Sequence, residues 1–419
     1  MPVALLSSLC LIPALGSLAF LPTAFAFLVA LPLVLFGRGW RDSGPKRWVW
    51  TAIFAYLLYF ILEDALLHGD FASTLVEMAA NFPIFAAAII ALSLNPETMS
   101  LSPRRVGQWA TISVYATFIA AVLIWSTQPE WDLLGSTLTE TTRANTRLRL
   151  LAGNPLLFAA GFMTLGFISL LGWISRGAAS QAAALGALVI AIETVFIWSL
   201  SRGAMLASLP IIFAAIWYIR PRPLRLFVFL IGLAASTVVL EYSGAYGSRL
   251  ATMSSRVSQG MTTVATGEAA AEKSTGNRMQ LFSAGLEAWM ARPVFGHGVS
   301  ERYNAAVPYL KQDFGRNFSH LHNAFLTHLV GGGVVGLGLL LFMLVTPFLA
   351  NHSCRKSTGA LSKDSRYFAW VVFLSLSGIG LSNLILNQDV SSHLFGILLV
   401  VHLLIANHDF QSGRAQIQS

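Results

Sequence analysis

Two histidines stand two residues apart in Asn317-Phe318-Ser319-His320-Leu321-His322-Asn323, and a long, glycine-rich apolar run follows at once. A neutral imidazole with an ordinary pKa near 6.5 can take a proton from a sugar hydroxyl, a contribution of roughly 10²–10⁴ in rate when well placed. His322 is the candidate base, with His320 beside it. Asn323 can either cap the helix that follows or orient the ring. His320 and His322, followed by His328, form a His-x-His pair that also invites a metal reading, but a metal site needs a third ligand. Glu301, Asp313 and Asp389 are the nearest acids in sequence, and none falls in a ligand spacing, so no metal site is expected. A purely structural histidine remains the alternative.

Two arginines have the chemistry to meet an anion. In Ser199-Leu200-Ser201-Arg202-Gly203, the permanently charged guanidinium of Arg202 forks to two oxygens at once, which suits a phosphate, with Ser201 in a supporting place. The alternative is an arginine snorkelling to a membrane interface. In Gly276-Asn277-Arg278, Arg278 precedes an amphipathic stretch, Met279–Ala291, whose apolar positions include Leu281, Ala284, Leu286, Ala288 and Trp289. A helix N-terminus there favours an anion. Taken alone, Arg278 reads as a solvated loop charge.

The elements that position these groups are apolar. The chain has 419 residues, of which 55% are hydrophobic and 11% charged, far from the roughly one quarter charged of a soluble domain. About twelve apolar runs are long enough to cross a bilayer. They fall near 3–20, 22–37, 47–67, 71–95, 106–126, 155–174, 178–200, 203–219, 225–241, 323–350, 367–387 and 391–407. The expected fold is an all-α polytopic membrane protein. Continuous runs exclude a β-barrel, whose strands alternate. Basic loops follow the even-numbered runs, at Arg38–Arg47, Arg104-Arg105, Arg176, Arg220–Arg225 and Arg355–Arg366, which puts both termini in the cytoplasm.

Two longer loops lie on the opposite side: 127–154, and 242–322 with Arg249, Arg256, Lys273, Arg278, Arg292, Arg302, Lys311 and Arg316. The chain therefore divides into 1–241, with nine spans, a partly helical loop domain over 242–322, and 323–419, with three spans and a tail. The net charge of +8 is accounted for by loop topology and by phosphate-meeting arginines, so no nucleic-acid partner is expected. No disulfide is expected from Cys10 and Cys354, and no Walker loop or dinucleotide fingerprint occurs. Within the membrane, Glu63, Asp64, Glu77 and Glu193 are expensive and hint at pairing or function, although Glu63 and Asp64 also fit an interfacial place. Gly331-Gly332-Gly333 and Gly336-x-Gly338 read as a small-residue face for close helix packing.

The Ser-x-Ser-Arg-Gly step at 199–203, the long loop after the ninth run, Arg278…Trp289…Pro293-x-x-Gly296-x-Gly298, and His322-Asn323-x-x-Leu326 together resemble the O-antigen ligase family. That family sits in a wider group with O-antigen polymerases and bacterial protein O-oligosaccharyltransferases. The resemblance implies a GT-C-like membrane fold and a metal-independent, inverting glycosyl transfer without a cofactor. It implies undecaprenyl-pyrophosphate-linked O-antigen as donor and a sugar hydroxyl of lipid A–core as acceptor, at the periplasmic face of a bacterial inner membrane. Arg202 and Arg278 match the family's pyrophosphate-binding arginines and His322 its catalytic histidine; His320 falls beside the motif. The sister transferases share the donor half of such a site. A transporter of lipid or polysaccharide is the rival from another class.

Overall fold

The computed structural model describes residues 1–36, 45–68, 79, 81–127, 155–195, 202–219, 273–310, 320–358, 361–386 and 388–418, with four short strands inside 132–148. The helices are α1 (Pro2–Leu15), α2 (Phe20–Phe36), α3 (Lys46–His68), α4 (Phe82–Ser93), α5 (Pro103–Thr127) and α6 (Pro155–Ile168). They continue with α7 (Ala178–Glu193), α8 (Arg202–Ile219), α9 (Lys273–Ala291), α10 (Ala324–Thr358), α11 (Lys363–Gly380) and α12 (Asp389–Gln418). Helices thus occur at the expected apolar runs, except at 225–241, which lies outside the described residues, as does Glu77.

Among the described residues, four helices are long and apolar enough to cross a membrane: Lys46–Leu66, Pro103–Leu123, Ala324–Lys356 and Val390–Ser412. Shorter apolar helices accompany them. Of the run expected at 71–95, residues 71–78 and 80 lie outside the described residues; α4 begins where Pro83 can sit in a first turn without losing a hydrogen bond. The all-α expectation needs one amendment. Within 127–154, β1 (Asp132–Leu133) pairs with β2 (Ser136–Thr137), and β3 (Thr139–Thr141) with β4 (Thr146–Leu148), both antiparallel. Threonine-rich sequence favours extended backbone there.

Among the described residues, the basic loops around Lys46, Arg104, Arg176 and Lys363 gather at one end of the bundle. Lys46 Nζ donates to the carbonyls of Leu92 and Leu94 at 3.1 Å, and Trp48 Nε1 to Ser353 Oγ at 2.8 Å. Asn407 and Gln411 of α12 bond Met99 and Pro96, and Asp364 at the start of α11 accepts from the Gly172 N–H and the Tyr218 hydroxyl. At the far end of α11, 18 residues or about 27 Å away, Asn383 meets His320. The bundle therefore has a basic end and a histidine end. Between them the core is mostly apolar, with a polar knot where His393 Nε2 meets Ser8 Oγ (2.9 Å) and Thr23 Oγ1 (3.0 Å) to join α12, α1 and α2.

Candidate active site

The glycine-rich part of α10 does something other than pack a second helix. α10 breaks at Gly333, whose φ of 59° an L side chain rarely adopts. Into the break docks the backbone of 293–298. His297 N–H donates to Val330 O (2.9 Å), Gly298 N–H to Gly331 O (2.8 Å), Val334 N–H to Pro293 O (2.9 Å) and Val335 N–H to Val294 O (3.3 Å). A β-carbon at Gly296 (φ 77°) would fall 2.5 Å from the Gly333 nitrogen. The glycines let a loop pair with an opened helix, which satisfies the backbone groups freed by the break.

The outer end of α3 clamps this joint. Tyr59 donates to Gly332 O at 2.8 Å and Phe295 O at 3.1 Å, and Asp64 Oδ1 accepts from Ser300 Oγ at 2.8 Å. Tyr56 Oη meets His328 Nε2 at 2.8 Å, while His328 Nδ1 lies 2.6 Å from the Ala324 carbonyl. His328 is therefore a structural histidine holding α10 to α3. Glu63 and Asp64, which could have been interfacial, are both buried.

The loop helix α9 carries the next layer. It begins at Lys273, earlier than the stretch expected from periodicity, so Arg278 stands in its second turn and not at its N-terminus. Leu281, Ala284 and Ala288 form its buried face against Leu321, Leu326 and Val330. Gly285 permits this approach, since a β-carbon there would meet Leu326 Cδ2 at 2.8 Å and Leu321 Cδ1 at 2.9 Å. His297 Nε2 donates to the Ala288 carbonyl at 2.8 Å and so closes the last turn of α9. Arg278 is one turn before Leu281, and His322 is next to Leu321, so the packing brings the exposed guanidinium toward the imidazole.

Asn323 caps α10: its Oδ1 accepts from the Leu326 N–H at 2.9 Å, and its carbonyl receives the Thr327 N–H at 2.9 Å. Of the two roles open to it in the sequence, capping is the one observed. His322 directly precedes the cap with φ 51°, a left-handed conformation that costs of order 1–3 kcal/mol for such a residue and that the surroundings must hold. The rings of His320 and His322 meet edge to face with centres 4.4 Å apart. His320 Nε2 lies 3.2 Å from Asn383 Oδ1, and Asn383 Nδ2 donates to Gln388 Oε1 at 3.1 Å. With the amide so oriented, His320 Nε2 carries the proton and Nδ1 the lone pair.

Electrostatics keep both imidazoles neutral. Burial pushes His322 down to about 4, helped by the Arg278 charge. His320 is likewise down to about 4, from burial first, then His322 and Arg302, against the raising effect of Asn383. Arg302 is a participant that sequence reasoning passed over as one of eight basic residues of the long loop; it is 6% exposed and within electrostatic reach of His320. Asn383 and Gln388 were also missed. The only signal for them was a polar break between two apolar runs.

The structure thus brings His320, His322, Arg278 and Arg302 together at one end of the bundle. It gives neutral bases beside fixed cations, a combination suited to a hydroxyl nucleophile and an anionic leaving group. Arg202 opens α8, but its side chain lies outside the described residues, as do Ser199 and Ser201. Among the described residues no three His, Cys, Asp or Glu side chains gather to hold a metal ion.

Apolar helices around a polar site at one bundle end define a multi-pass membrane protein. Residues 185–341 match the family described as O-Antigen ligase, the stretch that contains α8, α9, the histidine pair and the first half of α10 with its break at Gly333. Over that stretch, less than half of the chain, the protein is similar to the O-antigen ligase family. No curated protein matches the chain.

Proposed function

We propose that this protein is an O-antigen ligase that moves O-antigen polysaccharide from undecaprenyl pyrophosphate to a sugar hydroxyl of lipid A–core. The observation that carries the reading is the neutral His322 imidazole held beside Arg278 at the bundle end remote from the basic loops. Basic loops favour the cytoplasm, so the histidine end faces the periplasm, where lipid-linked sugars are the activated donors.

In the proposed step, the acceptor hydroxyl oxygen attacks the anomeric carbon from the face opposite the pyrophosphate. The C–O bond to the pyrophosphate breaks with its electron pair passing to the departing oxygen, and configuration inverts. His322 takes the acceptor proton. Arg278, together with Arg202 by the family resemblance, neutralises the charge growing on the pyrophosphate, the task a divalent cation performs elsewhere.

Transfer is tested with purified protein, undecaprenyl-pyrophosphate-linked glycan and lipid A–core in EDTA, comparing wild type with His322→Ala by gel mobility of the lipid product. Product from wild type alone is expected. Elongation of the donor, or labelling of a protein, would move the protein to a sister transferase. No product with any acceptor would favour transport.

A further inference from the structure

At the basic end of the bundle, Arg176 is 5% exposed, yet its Nε and Nη1 have no hydrogen-bond partner among the described residues. Among the described residues its one hydrogen bond is a long one, from Nη2 to the Arg104 carbonyl at 3.4 Å. A buried guanidinium with two unmet donors is costly, and such groups normally find an acceptor. The side chain leaves the turn between α6 and α7 and lies over Gly107, whose missing β-carbon makes room for Nη2 and Cζ. That places it against the start of α5, where the first turn holds Arg104 and Arg105 and no acid. A helix N-terminus is itself partly positive.

The guanidinium groups of Arg176 and Arg104 and a helix N-terminus therefore meet, with Arg105 next in the same turn, and among the described residues Asp364 is the acid in electrostatic reach. Its Oδ1 is already engaged by the Gly172 N–H and the Tyr218 hydroxyl. The arrangement calls for another anion. Its surroundings say which kind. Beyond Arg104 and Arg105, which are exposed, α5 presents Trp109, Ile112 and Ile119 outward, each more than half exposed, and Ile174 stands 70% exposed beside Arg176. This is a basic head above an apolar ridge on a helix long enough to cross a membrane.

We propose that Arg176, with Arg104 and Arg105, forms a headgroup site for an anionic phospholipid in the leaflet at the basic end, its chains lying along Trp109 and Ile112. The phosphate accepts from Arg176 Nε and Nη1, and the exposed arginines close over it. The inference is independent of glycan transfer, because it concerns the opposite end of the bundle and is read by lipid binding.

The test uses full-length protein, delipidated in neutral detergent and titrated with phosphatidylglycerol, phosphatidylcholine or inorganic phosphate, with bound lipid counted by native mass spectrometry and stability read by thermal unfolding. Phosphatidylglycerol is expected to stay bound and to raise the melting temperature, with phosphatidylcholine much weaker. The double variant Arg104→Gln/Arg105→Gln changes exposed side chains and should fold. It is expected to bind phosphatidylglycerol about 25-fold less tightly, at about fivefold for each basic group near an anionic headgroup. Arg176→Gln should abolish the retained lipid, and Arg176→Lys should restore part of it. Equal retention of phosphatidylcholine, full stabilisation by inorganic phosphate alone, or unchanged binding in the double variant would overturn the proposal.

Discussion

His322 and His320 touch edge to face, 4.4 Å between ring centres, but they are held by different parts of the protein. His320 is tied through Asn383 to the turn between α11 and α12. His322 is set by its own left-handed backbone and by the cap at Asn323. The pair therefore bridges the transmembrane bundle and the mouth of α10. Disturbing either anchor should shift the other ring.

A free-enzyme pKa near 4 at His322 makes a definite pH profile. The imidazole is unprotonated, and so competent as a base, at every pH above its lowered value. The acid limb of kcat/KM for glycan transfer should fall near 4 instead of 6.5, with rates flat from about pH 8 down to 5.5. Donor binding brings negative charge to Arg278 and offsets its effect on the ring, so the acid limb of kcat should lie higher than that of kcat/KM. Arg278→Gln should move the free-enzyme limb upward as well as weaken donor binding. A limb at 6.5 in wild type would contradict the assigned environment.

The same depressed values act on stability. A histidine that is neutral when folded binds fewer protons than the unfolded chain between its folded and unfolded pKa. Stability from His320 and His322 is then complete above about 6.5 and is lost as pH falls toward 4. Thermal unfolding in detergent should show a melting temperature that drops across this window. His320→Gln should drop less steeply.

Asn383→Ala removes the acceptor for His320 Nε2. A neutral hydrogen bond contributes about 0.5–1.5 kcal/mol, so transfer should slow by roughly two- to tenfold through a lower kcat, with donor KM little changed. Asn383→Asp keeps an acceptor but adds charge, which favours protonated His320. Its activity should therefore rise with pH, a dependence that Asn383→Ala should not show. Equal, pH-independent losses in both variants would mean that the contact is merely structural.

Much of this was legible in the sequence, and the physical reason differs from one part to the next. Helices such as α3, α5, α10 and α12 declare themselves because the length of an apolar run is a local property. The buried face Leu281, Ala284, Ala288 is local too, and the cap at Asn323 needs only the residue and the run that follows. The partners of the histidines are not local. Asn383 lies 63 residues from His320, and nothing in a row of eight basic loop residues marks Arg302 as the buried one. The glycines at 331–333 suit close helix packing as well as a docked loop; only the backbone of 293–298 decides between them. Periodicity also placed the start of α9 late, because Ser274, Thr275 and Gly276 add no apolar signal to its first turn.

Asn323→Ala should cost about 0.5–2 kcal/mol by leaving the Leu326 N–H without its acceptor, while Asn323→Asp keeps the cap and should be near neutral in stability. Because His322 is the next residue, loss of the cap should also lower transfer more than the stability change alone explains. Comparing melting temperature with rate per folded molecule separates the two effects.

The joint between α10 and the loop rests on glycines at two strained positions. Gly333→Ala must place a β-carbon at φ 59° within 2.6 Å of the Phe295 nitrogen, and Gly296→Ala meets the Gly331–Gly333 backbone at φ 77°. Backbone atoms cannot step aside as a side-chain tip can, so each variant should lose more than the 1–3 kcal/mol of conformational strain alone. Gly338, farther along the same helix, has nothing within 4 Å of a built β-carbon, and Gly338→Ala should be neutral or slightly stabilising. If Gly333→Ala and Gly338→Ala melt alike, the broken helix is not what holds the loop. If only Gly333→Ala and Gly296→Ala fall, and transfer falls with them, then the break in α10 is the hinge on which α9, and so Arg278, is carried to His322.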